Sequence, residues 1–250
     1  MDSNYYKEYF HLERSNWWFT ARLEILKSFI TKNIYNKKEL KILNIGVATG
    51  ATSVMLEQFG QVKSIEYDES CYEFVKNTLS IDIEQGSILE LQFENETFDL
   101  VCAFDVIEHV EDHQKAVDEM KRVCKSNGMV FVTVPAFMSL WGQHDVVNHH
   151  YRRYKRKELE LLFNENGNVV FSSYFNFYTF LPAYLVRKLS NRFPRLLKRD
   201  GSGSDHSMFK LGMFNNVLHH IFLSEKHILC NNITFPVGVS AMLMWKKVTQ

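Results

Sequence analysis

The chain has 250 residues, of which 46% are hydrophobic and 23% charged, and this composition excludes intrinsic disorder as its main state because the apolar content can form a sizeable core. Its 29 Lys and Arg residues balance 29 Asp and Glu residues, so no overall positive field favours nucleic acid as a partner. With 20 Phe, 11 Tyr and 4 Trp, the composition indicates a stacking surface or an acceptor pocket as well as a core.

The four cysteines indicate the cellular compartment. They include no CxxC pair, so the sequence predicts neither a disulfide framework nor a zinc ribbon. Reduced thiols in the cytoplasm are the expectation. The cysteines are Cys71, Cys102, Cys124 and Cys230. The polar, aromatic N-terminus lacks the apolar centre of a signal peptide. Residues 166–186 carry no charge but hold several Asn, Ser and Thr side chains and Pro182, which favours a strand, a turn and the start of a helix over a membrane span.

Short apolar, β-branched runs alternate with helical patterns along most of the chain, which predicts a parallel sheet covered by helices on both faces. The predicted strands are Lys41–Gly46, Val62–Tyr67, Ile81–Gly86, Phe98–Asp105, Met129–Pro135, Val169–Phe175 and Val237–Lys247. The predicted helices between them are Thr52–Gln58, Glu69–Leu79, Glu111–Cys124 and Arg156–Asn166, with Asn127 and Gly128 expected to end the third.

We expect one domain, made of a helical arm (1–38), a core (39–178), a helical insertion between strands six and seven (179–232) and the last strand (233–250). The insertion carries a basic amphipathic stretch, for which a solvated helix face is favoured and contact with anionic lipid is the alternative. Its residues are Arg187, Lys188, Arg192, Arg195, Lys198 and Arg199, interleaved with Phe193, Leu196 and Leu197.

A turn of small residues, LNIGVATG at 43–50, follows the first predicted strand. Gly46, Ala48 and Gly50 let the backbone turn tightly and approach a ligand at a helix N-terminus. Their GxAxG spacing differs from the GxGxxG of nicotinamide dinucleotide sites. Glu66 ends the second strand, where a carboxylate can accept two hydrogen bonds from a ribose diol.

From Lys41 to about Phe175 the sequence resembles the class I S-adenosylmethionine-dependent methyltransferases, through LNIGVATG, IEYDES, GSI and FDLVCAFDVIEHV. The flanking NWWFTAR, WGQHDVVNHHYRRYKRKEL and FPVGVSAMLMWKK are similar to a bacterial subgroup often associated with glycan pathways. The resemblance implies a Rossmann-like α/β fold with a seven-stranded, mostly parallel sheet. Its last strand would be antiparallel and lie beside the sixth. S-adenosyl-L-methionine would be the cofactor and S-adenosyl-L-homocysteine the product.

The resemblance also implies the residues of the donor site. The residues that would line the methionine moiety are Gly46, Val47, Ala48 and Gly50. Glu66 would hold the ribose, and Tyr67 would flank the adenine. The edge of the adenine would contact Gly86, Ser87 and Ile88, and its amino group would lie near the backbone of Phe104. The sequence departs from the family at three positions in or next to this site. Asn44 stands where the family usually has an acidic residue, Ala48 where it has glycine, and Ser87 where it has aspartate. A non-catalytic binding module is therefore kept as an alternative.

On the acceptor side, Asp105, Glu108 and His109 form a DxxEH sequence at a helix start. It resembles the metal-binding ExxEH of ubiquinone-pathway O-methyltransferases and small-RNA 2′-O-methyltransferases, and such a set could hold a divalent cation. The alternative, which we favour, is that Glu108 and His109 cap the helix and fix the adjacent loop, so we expect no metal.

A second polar cluster follows strand five, in the loop that faces the methyl donor in this fold. It contains His144, Asp145, His149, His150, Arg152, Arg153 and Tyr154. A near-neutral imidazole suits removal of a hydroxyl proton, and we predict His150 as the general base, with His144 and Asp105 as the alternatives. His149 should point elsewhere. Arg152 and Arg153 could hold an acceptor phosphate or carboxylate.

The helical arm contains many aromatic rings. Some of them would be needed to pack the arm on the core even if no ligand were bound. The rings belong to Tyr5, Tyr6, Tyr9, Phe10, Trp17, Trp18 and Phe19. The arm could also act as a lid that excludes water from the donor, and Arg22 could then reach the donor's carboxylate.

The sequence thus predicts an enzyme that methylates a hydroxyl of a small-molecule, sugar or glycan-intermediate acceptor. The alternatives are a metal-assisted O-methyltransferase acting on a quinone-type phenol or an RNA ribose, and the non-catalytic module. Nucleic acid is disfavoured as a partner by the zero net charge. Peripheral membrane contact through the basic insertion stays open.

Overall fold

The structure is a computed structural model that describes residues 3–34, 39–192 and 215–248. Its strands are β1 (Leu40–Ile45), β2 (Gly60–Glu66), β3 (Ile83–Gln85), β4 (Phe98–Phe104), β5 (Cys124–Pro135), β6 (Gly167–Phe175) and β7 (Ser240–Lys247). Its α-helices are α1 (Ser3–Ser15), α2 (Trp17–Asn33), α3 (Ala51–Leu56), α4 (Glu69–Thr78), α5 (His113–Val123), α6 (Gln143–Val147), α7 (Arg156–Leu162), α8 (Phe177–Arg192), α9 (Asn215–Leu223) and α10 (Glu225–Cys230). The part of the predicted basic stretch from Phe193 to Arg199 lies outside the described residues.

All seven strands form one sheet in the order β3-β2-β1-β4-β5-β7-β6. β1 to β5 pair in parallel, and β7 runs antiparallel to both of its neighbours, with Ser240 opposite Pro135 on β5 and opposite Phe175 on β6. Residues 241–245 of β7 are fully buried, as expected for a central strand. The predicted mostly parallel, seven-stranded Rossmann-like sheet, with an antiparallel last strand beside the sixth, is confirmed.

The boundary between α5 and β5 differs from the prediction. The helix ends at Val123, and Asn127 and Gly128 lie inside β5 instead of ending the helix. Asn127 has a φ of 62°, and a Cβ on Gly128 would lie 2.8 Å from the carbonyl oxygen of Lys125. The pair therefore forms an irregularity at the start of the strand, where the register against β4 also shifts.

The arm consists of two helices that divide at Asn16, whose side chain accepts a hydrogen bond from the Trp18 N–H and caps α2. The rings of α2 belong mainly to the core. Phe29 packs against Phe131 of β5 at 5.4 Å and against Phe171 of β6 at 4.7 Å, measured between ring centroids. The arm therefore packs against the sheet through α2, while α1 contacts α3 and α4.

The segment 166–186 folds as β6 followed by α8, in agreement with the predicted strand, turn and helix. Within the described ranges, no helix combines the length and the apolar character that crossing a membrane requires.

Candidate active site

The candidate site lies at the carboxyl ends of the parallel strands. β1 pairs with β2 on one side and with β4 on the other, so the residues that follow these three strands meet at one edge of the sheet. In open α/β sheets this is the edge where ligands bind, at the point where strand order reverses. The glycine turn follows β1, Glu66 ends β2 and Asp105 follows β4.

The turn after β1 adopts left-handed backbone conformations at all three of its small residues. Gly46 has a φ of 73°, Ala48 of 48° and Gly50 of 88°. A Cβ on Gly46 would also lie 2.4 Å from Cγ2 of Val106, so this position needs glycine for space as well as for conformation. Ala48 occupies the position where the family usually has glycine, and it adopts the left-handed conformation there. The replacement of glycine by alanine therefore leaves the shape of the turn intact.

Glu66 holds this turn in place. Its Oε2 accepts hydrogen bonds from the Val47 N–H at 2.9 Å and the Ala48 N–H at 3.2 Å, and its Oε1 accepts from the Asp68 N–H at 3.0 Å. Burial raises the pKa of the Glu66 carboxyl, and these backbone donors oppose that rise. The residue predicted to bind the donor ribose therefore also fixes the turn predicted to line the donor's methionine moiety.

The remaining predicted donor residues follow β2 and β3 or end β4. Tyr67 is 77% exposed, so its ring is available to flank an adenine. The Gly86 N–H donates to the Glu66 carbonyl oxygen at 2.9 Å, which places the loop after β3 next to the end of β2. The Ser87 Oγ accepts from the Leu89 N–H at 3.2 Å and so turns its own loop. Ile88 and Phe104 are buried.

Asn44 is explained by its surroundings. It is fully buried in β1, and its Nδ2 donates to Thr52 Oγ1 at 3.0 Å and to Ser53 Oγ at 2.9 Å. Both hydroxyls belong to α3, so the amide joins the first strand to the helix that follows the glycine turn. An amide supports this contact without the cost of burying a charge.

Arg22 of the arm is buried at the end of β4. Its Nη2 donates to Asp105 Oδ2 and to Thr133 Oγ1, both at 2.8 Å, and the Thr133 hydroxyl donates to Asp105 Oδ1 at 3.1 Å. Asp105 itself has a φ of 56°. The ion pair engages Asp105 with a cation, which weakens it as the alternative base. The Nε of Arg22 is buried without a partner in the described structure, so one donor group is left for the predicted contact to a donor carboxylate.

The first arm helix contacts the glycine turn directly. Thr49 Oγ1 donates to the buried carboxylate of Glu13, and Arg14 Nη2 donates to the Thr49 carbonyl oxygen at 3.1 Å. Tyr6 donates from its hydroxyl to Asp68 Oδ1 at 2.8 Å. These contacts place α1 against the turn, and the role of the arm as a lid stays a prediction. Glu13 was not predicted, although it lies seven residues after Tyr6, on the same face of a helix.

The predicted capping role of Glu108 and His109 is wrong, because both residues belong to a short 3₁₀ helix at 107–109 and the side chain of Asp112 caps α5. Glu108 is fully buried, and neither of its carboxylate oxygens has a hydrogen-bond partner in the described structure. Burial and the nearby charge of Asp105 raise the pKa of Glu108 well above its ordinary value.

The cluster around Glu108 differs from the predicted DxxEH set. Ligand atoms of Glu108, His109 and His150 lie within 4.8 Å of one another. Asp105 is instead bound to Arg22. Burial, together with the charge of His150, lowers the pKa of His109 to about 4, so this imidazole is neutral at pH 7. The loop that carries His150 is brought here by a hydrogen bond from the Tyr151 N–H to the Glu108 carbonyl oxygen at 2.8 Å.

His150 is paired with a buried carboxylate. Its Nδ1 lies 2.9 Å from Asp145 Oδ1, which also accepts from Arg153 Nε at 2.7 Å, and Asp145 Oδ2 accepts from the Gly142 N–H at 2.8 Å. Although burial opposes it, the hydrogen bonds from His150 and Arg153 hold the pKa of Asp145 below its ordinary value. An ionised Asp145 therefore orients the imidazole of His150.

The neighbours of His150 are placed differently. His149 is exposed with a φ of 55°, whereas the side chain of His150 is only 7% exposed beside Asp145. The His144 ring lies 5.9 Å from the His150 ring, and its Nδ1 lies 3.2 Å from Asn148 Nδ2. Arg153 is buried against Asp145 and Arg152 Nη2 donates to the Glu111 carbonyl oxygen at 2.8 Å. Arg153 thus holds Asp145, in contrast to its predicted contact with the acceptor.

Residues 43–132 match a family described as a methyltransferase domain. An uncharacterized protein of Methanocaldococcus jannaschii is 33% identical over 107 residues, which cover 43% of this chain and 46% of that protein. The mitochondrial ubiquinone biosynthesis O-methyltransferase of Dictyostelium discoideum is 23% identical over 211 residues, which cover 64% of this chain and 66% of that protein. The chain spans about half to two thirds of the length of these relatives.

Among solved structures, a SAM-dependent methyltransferase of Thermotoga maritima superimposes with a TM-score of 0.57 and 17% identity, over 97% of this chain and 99% of that one. This likeness supports the fold. The matched residues 43–132 contain the glycine turn, Glu66 and the segment from Asp105 to His109. Residues 43–132 therefore match a methyltransferase domain, and the described chain adopts the Rossmann-like fold of S-adenosylmethionine-dependent methyltransferases.

Proposed function

We propose that this protein transfers a methyl group from S-adenosylmethionine to a hydroxyl oxygen of a small-molecule, sugar or glycan-intermediate acceptor, with His150 as the general base. The hydrogen bond between His150 Nδ1 and the buried carboxylate of Asp145, at 2.9 Å, carries the proposal. A carboxylate next to Nδ1 favours the imidazole tautomer that is protonated at Nδ1. In that tautomer Nε2 carries no proton and can accept the proton of a hydroxyl.

In this mechanism the sulfonium of the donor supplies the methyl group. His150 Nε2 would take the hydroxyl proton of the acceptor as the methyl–oxygen bond forms and the methyl–sulfur bond breaks, with S-adenosylhomocysteine as the leaving group, and Asp145 would stabilise the resulting imidazolium. Arg153 and the Gly142 N–H keep Asp145 ionised and fixed, because both donate to its carboxylate. Glu66 and the turn at 46–50 would bind and orient the donor, and α1 would exclude water by closing on Thr49.

The acceptor class is supported by two observations. The Dictyostelium relative is named an O-methyltransferase of ubiquinone biosynthesis, which supports oxygen as the acceptor atom. The flanking sequence motifs resemble a subgroup associated with glycan pathways, which favours a sugar or glycan intermediate. The cytoplasm is the proposed location, because all four cysteines lie in the described part of the chain and none forms a disulfide.

A metal-assisted transfer to a quinone-type phenol or an RNA ribose is the second candidate, and the Glu108, His109 and His150 cluster favours it. A neutral His109 is a ready ligand, and a divalent cation could lower the pKa of an acceptor hydroxyl. The raised pKa of Glu108 argues against it, because a carboxyl must lose its proton to bind a cation. His150 could not then serve as a base if its Nε2 were bound to the metal.

Chelation separates the two candidates. The protein is dialysed against EDTA and then incubated with methyl-labelled donor and a cell extract, and product formation is measured. We expect activity to survive, because the His150–Asp145 pair needs no cation. Activity that is lost on dialysis and restored by magnesium or zinc would favour the metal-assisted reaction instead. A mock dialysis without EDTA controls for simple loss of activity on handling.

A further inference from the structure

Helix α8 presents an apolar face to solvent. Its exposed residues Tyr178, Leu181, Pro182, Leu185, Val186 and Leu189 recur at helical spacing along one side of the helix. Leu181 is 61% exposed, Leu189 52% and Leu185 49%. A surface helix normally turns its polar residues to water, so an apolar outer side is unusual. An apolar surface of this kind marks an interaction site.

The inward side of the same helix packs aromatic rings on the core, with Phe180 5.7 Å from Phe137 and Phe177 5.0 Å from Phe235 between ring centroids, and it also carries one cation. Arg187 lies on the side opposite Leu185 and Leu189, where its Nη1 donates to the Leu140 carbonyl oxygen and lies 3.9 Å from Asp145 Oδ2. The carboxylate that pairs with His150 thus also receives a cation from α8. The apolar face is thereby fixed on the outer side of the helix that adjoins the candidate base.

Helix α9 extends this surface. It packs against α8 and exposes Val217 and Ile221, which lie one helical turn apart and are 53% and 42% exposed. Across residues 3–34, 39–192 and 215–248, no described element buries these side chains or the apolar face of α8. We call these exposed residues of α8 and α9 the apolar face.

The charged residues of α8 are all basic, although Arg187 faces inward to Asp145. α8 contains Arg187, Lys188 and Arg192 and no acidic residue. The sequence continues to Arg199 with three further basic residues and still no Asp or Glu, although the whole chain has as many acidic as basic residues. The exposed Lys188 lies beside the apolar residues. This bias complements a negatively charged partner with an apolar interior, which is the chemistry of an anionic lipid bilayer.

We propose that the apolar face docks on the surface of an anionic lipid bilayer, with α8 lying in the interface. This agrees with the finding that no described helix is long and apolar enough to cross a membrane. Docking would place the His150 site next to the bilayer, so a lipid-linked acceptor could reach it. That consequence rests on the proposed function, whereas the docking itself needs neither donor nor acceptor.

Vesicle sedimentation tests the docking with the full chain alone. The protein is mixed with vesicles of phosphatidylcholine or of phosphatidylcholine with phosphatidylglycerol, and the sedimented fraction is measured. We expect binding to the anionic vesicles to be at least about tenfold stronger, because each basic residue near the surface contributes about fivefold. Raising the salt concentration should weaken it.

Leu185→Glu should reduce vesicle binding by about tenfold or more, since a leucine side chain is no longer buried and a negative charge is added. Leu161→Glu is the matched control, because Leu161 is 66% exposed on α7, outside the apolar face, and should bind within twofold of the wild type. Equal thermal unfolding of both variants would show that folding is intact. These measurements contain no methyl donor, so their failure leaves the proposed methyl transfer unaffected.

Two outcomes would overturn the proposal. One is sedimentation of the wild type that is equally weak with both kinds of vesicle. The other is a concentration-dependent dimer, seen by analytical ultracentrifugation, that Leu185→Glu dissociates while neither protein binds vesicles. The second outcome would assign the apolar face to contact between two copies of the chain.

Discussion

Replacement of His150 by alanine should lower turnover by about 10²–10⁴-fold and leave the affinity for S-adenosylhomocysteine within about twofold of the wild type, since a general base contributes to the chemical step and not to donor binding. His150 Nδ1 lies 2.9 Å from Asp145 Oδ1, so the variant removes the imidazole and leaves the carboxylate bound to Arg153. Turnover is measured with labelled donor, and affinity by calorimetry.

The same loop offers two controls for this experiment. His149→Ala changes an exposed neighbouring imidazole and should keep turnover near the wild-type value. His144→Ala tests the alternative base, whose ring lies 5.9 Å from that of His150. Near-normal turnover in His150→Ala together with a large loss in His144→Ala would move the base to His144. Thermal unfolding of each variant separates lost chemistry from lost structure.

Glu66→Ala should weaken donor binding by at least about tenfold. A carboxylate that accepts two charge-assisted hydrogen bonds from a ribose diol contributes about 1.5–3 kcal/mol for each bond, and 1.4 kcal/mol corresponds to tenfold in affinity. The variant also removes the acceptor that holds the N–H groups of Val47 and Ala48, so the turn itself is loosened. Calorimetry with S-adenosylhomocysteine measures the effect.

Two further variants make the Glu66 result interpretable. Glu66→Gln keeps an oxygen that can accept from Val47 and Ala48, so a loss in this variant reports the missing charge more than the missing support of the turn. Glu57→Ala removes an exposed carboxylate elsewhere in the domain and should leave affinity unchanged. Affinity of Glu66→Ala within twofold of the wild type would show that the ribose binds elsewhere. Absence of heat and of any thermal shift in the wild type would favour the non-catalytic module.

The sheet could be predicted because its strands are strongly marked. Apolar, β-branched runs bounded by turns leave little choice of element, and the alternation with helices fixes parallel pairing. The boundaries were less certain where local signals conflict with tertiary pairing. Asn127 and Gly128 read as a helix stop, yet pairing of β5 with β4 places both residues in a strand.

The candidate site was only partly readable from the sequence. Glu66 and the glycine turn follow strand ends, so their meeting is a consequence of topology. The grouping of Glu108 with His109 and His150 depends on the hydrogen bond from Tyr151 to Glu108, which folds one loop onto another over 43 positions of sequence. Arg153 was predicted to face the acceptor, but burial against Asp145 makes it a positioning residue.

Identification of the methylated atom is the most direct test of methyl transfer to oxygen. A cell extract is incubated with the protein and methyl-labelled S-adenosylmethionine, and labelled products are analysed by mass spectrometry with fragmentation. We expect a labelled product that carries the methyl group on oxygen. Methyl groups found on nitrogen or carbon would contradict it.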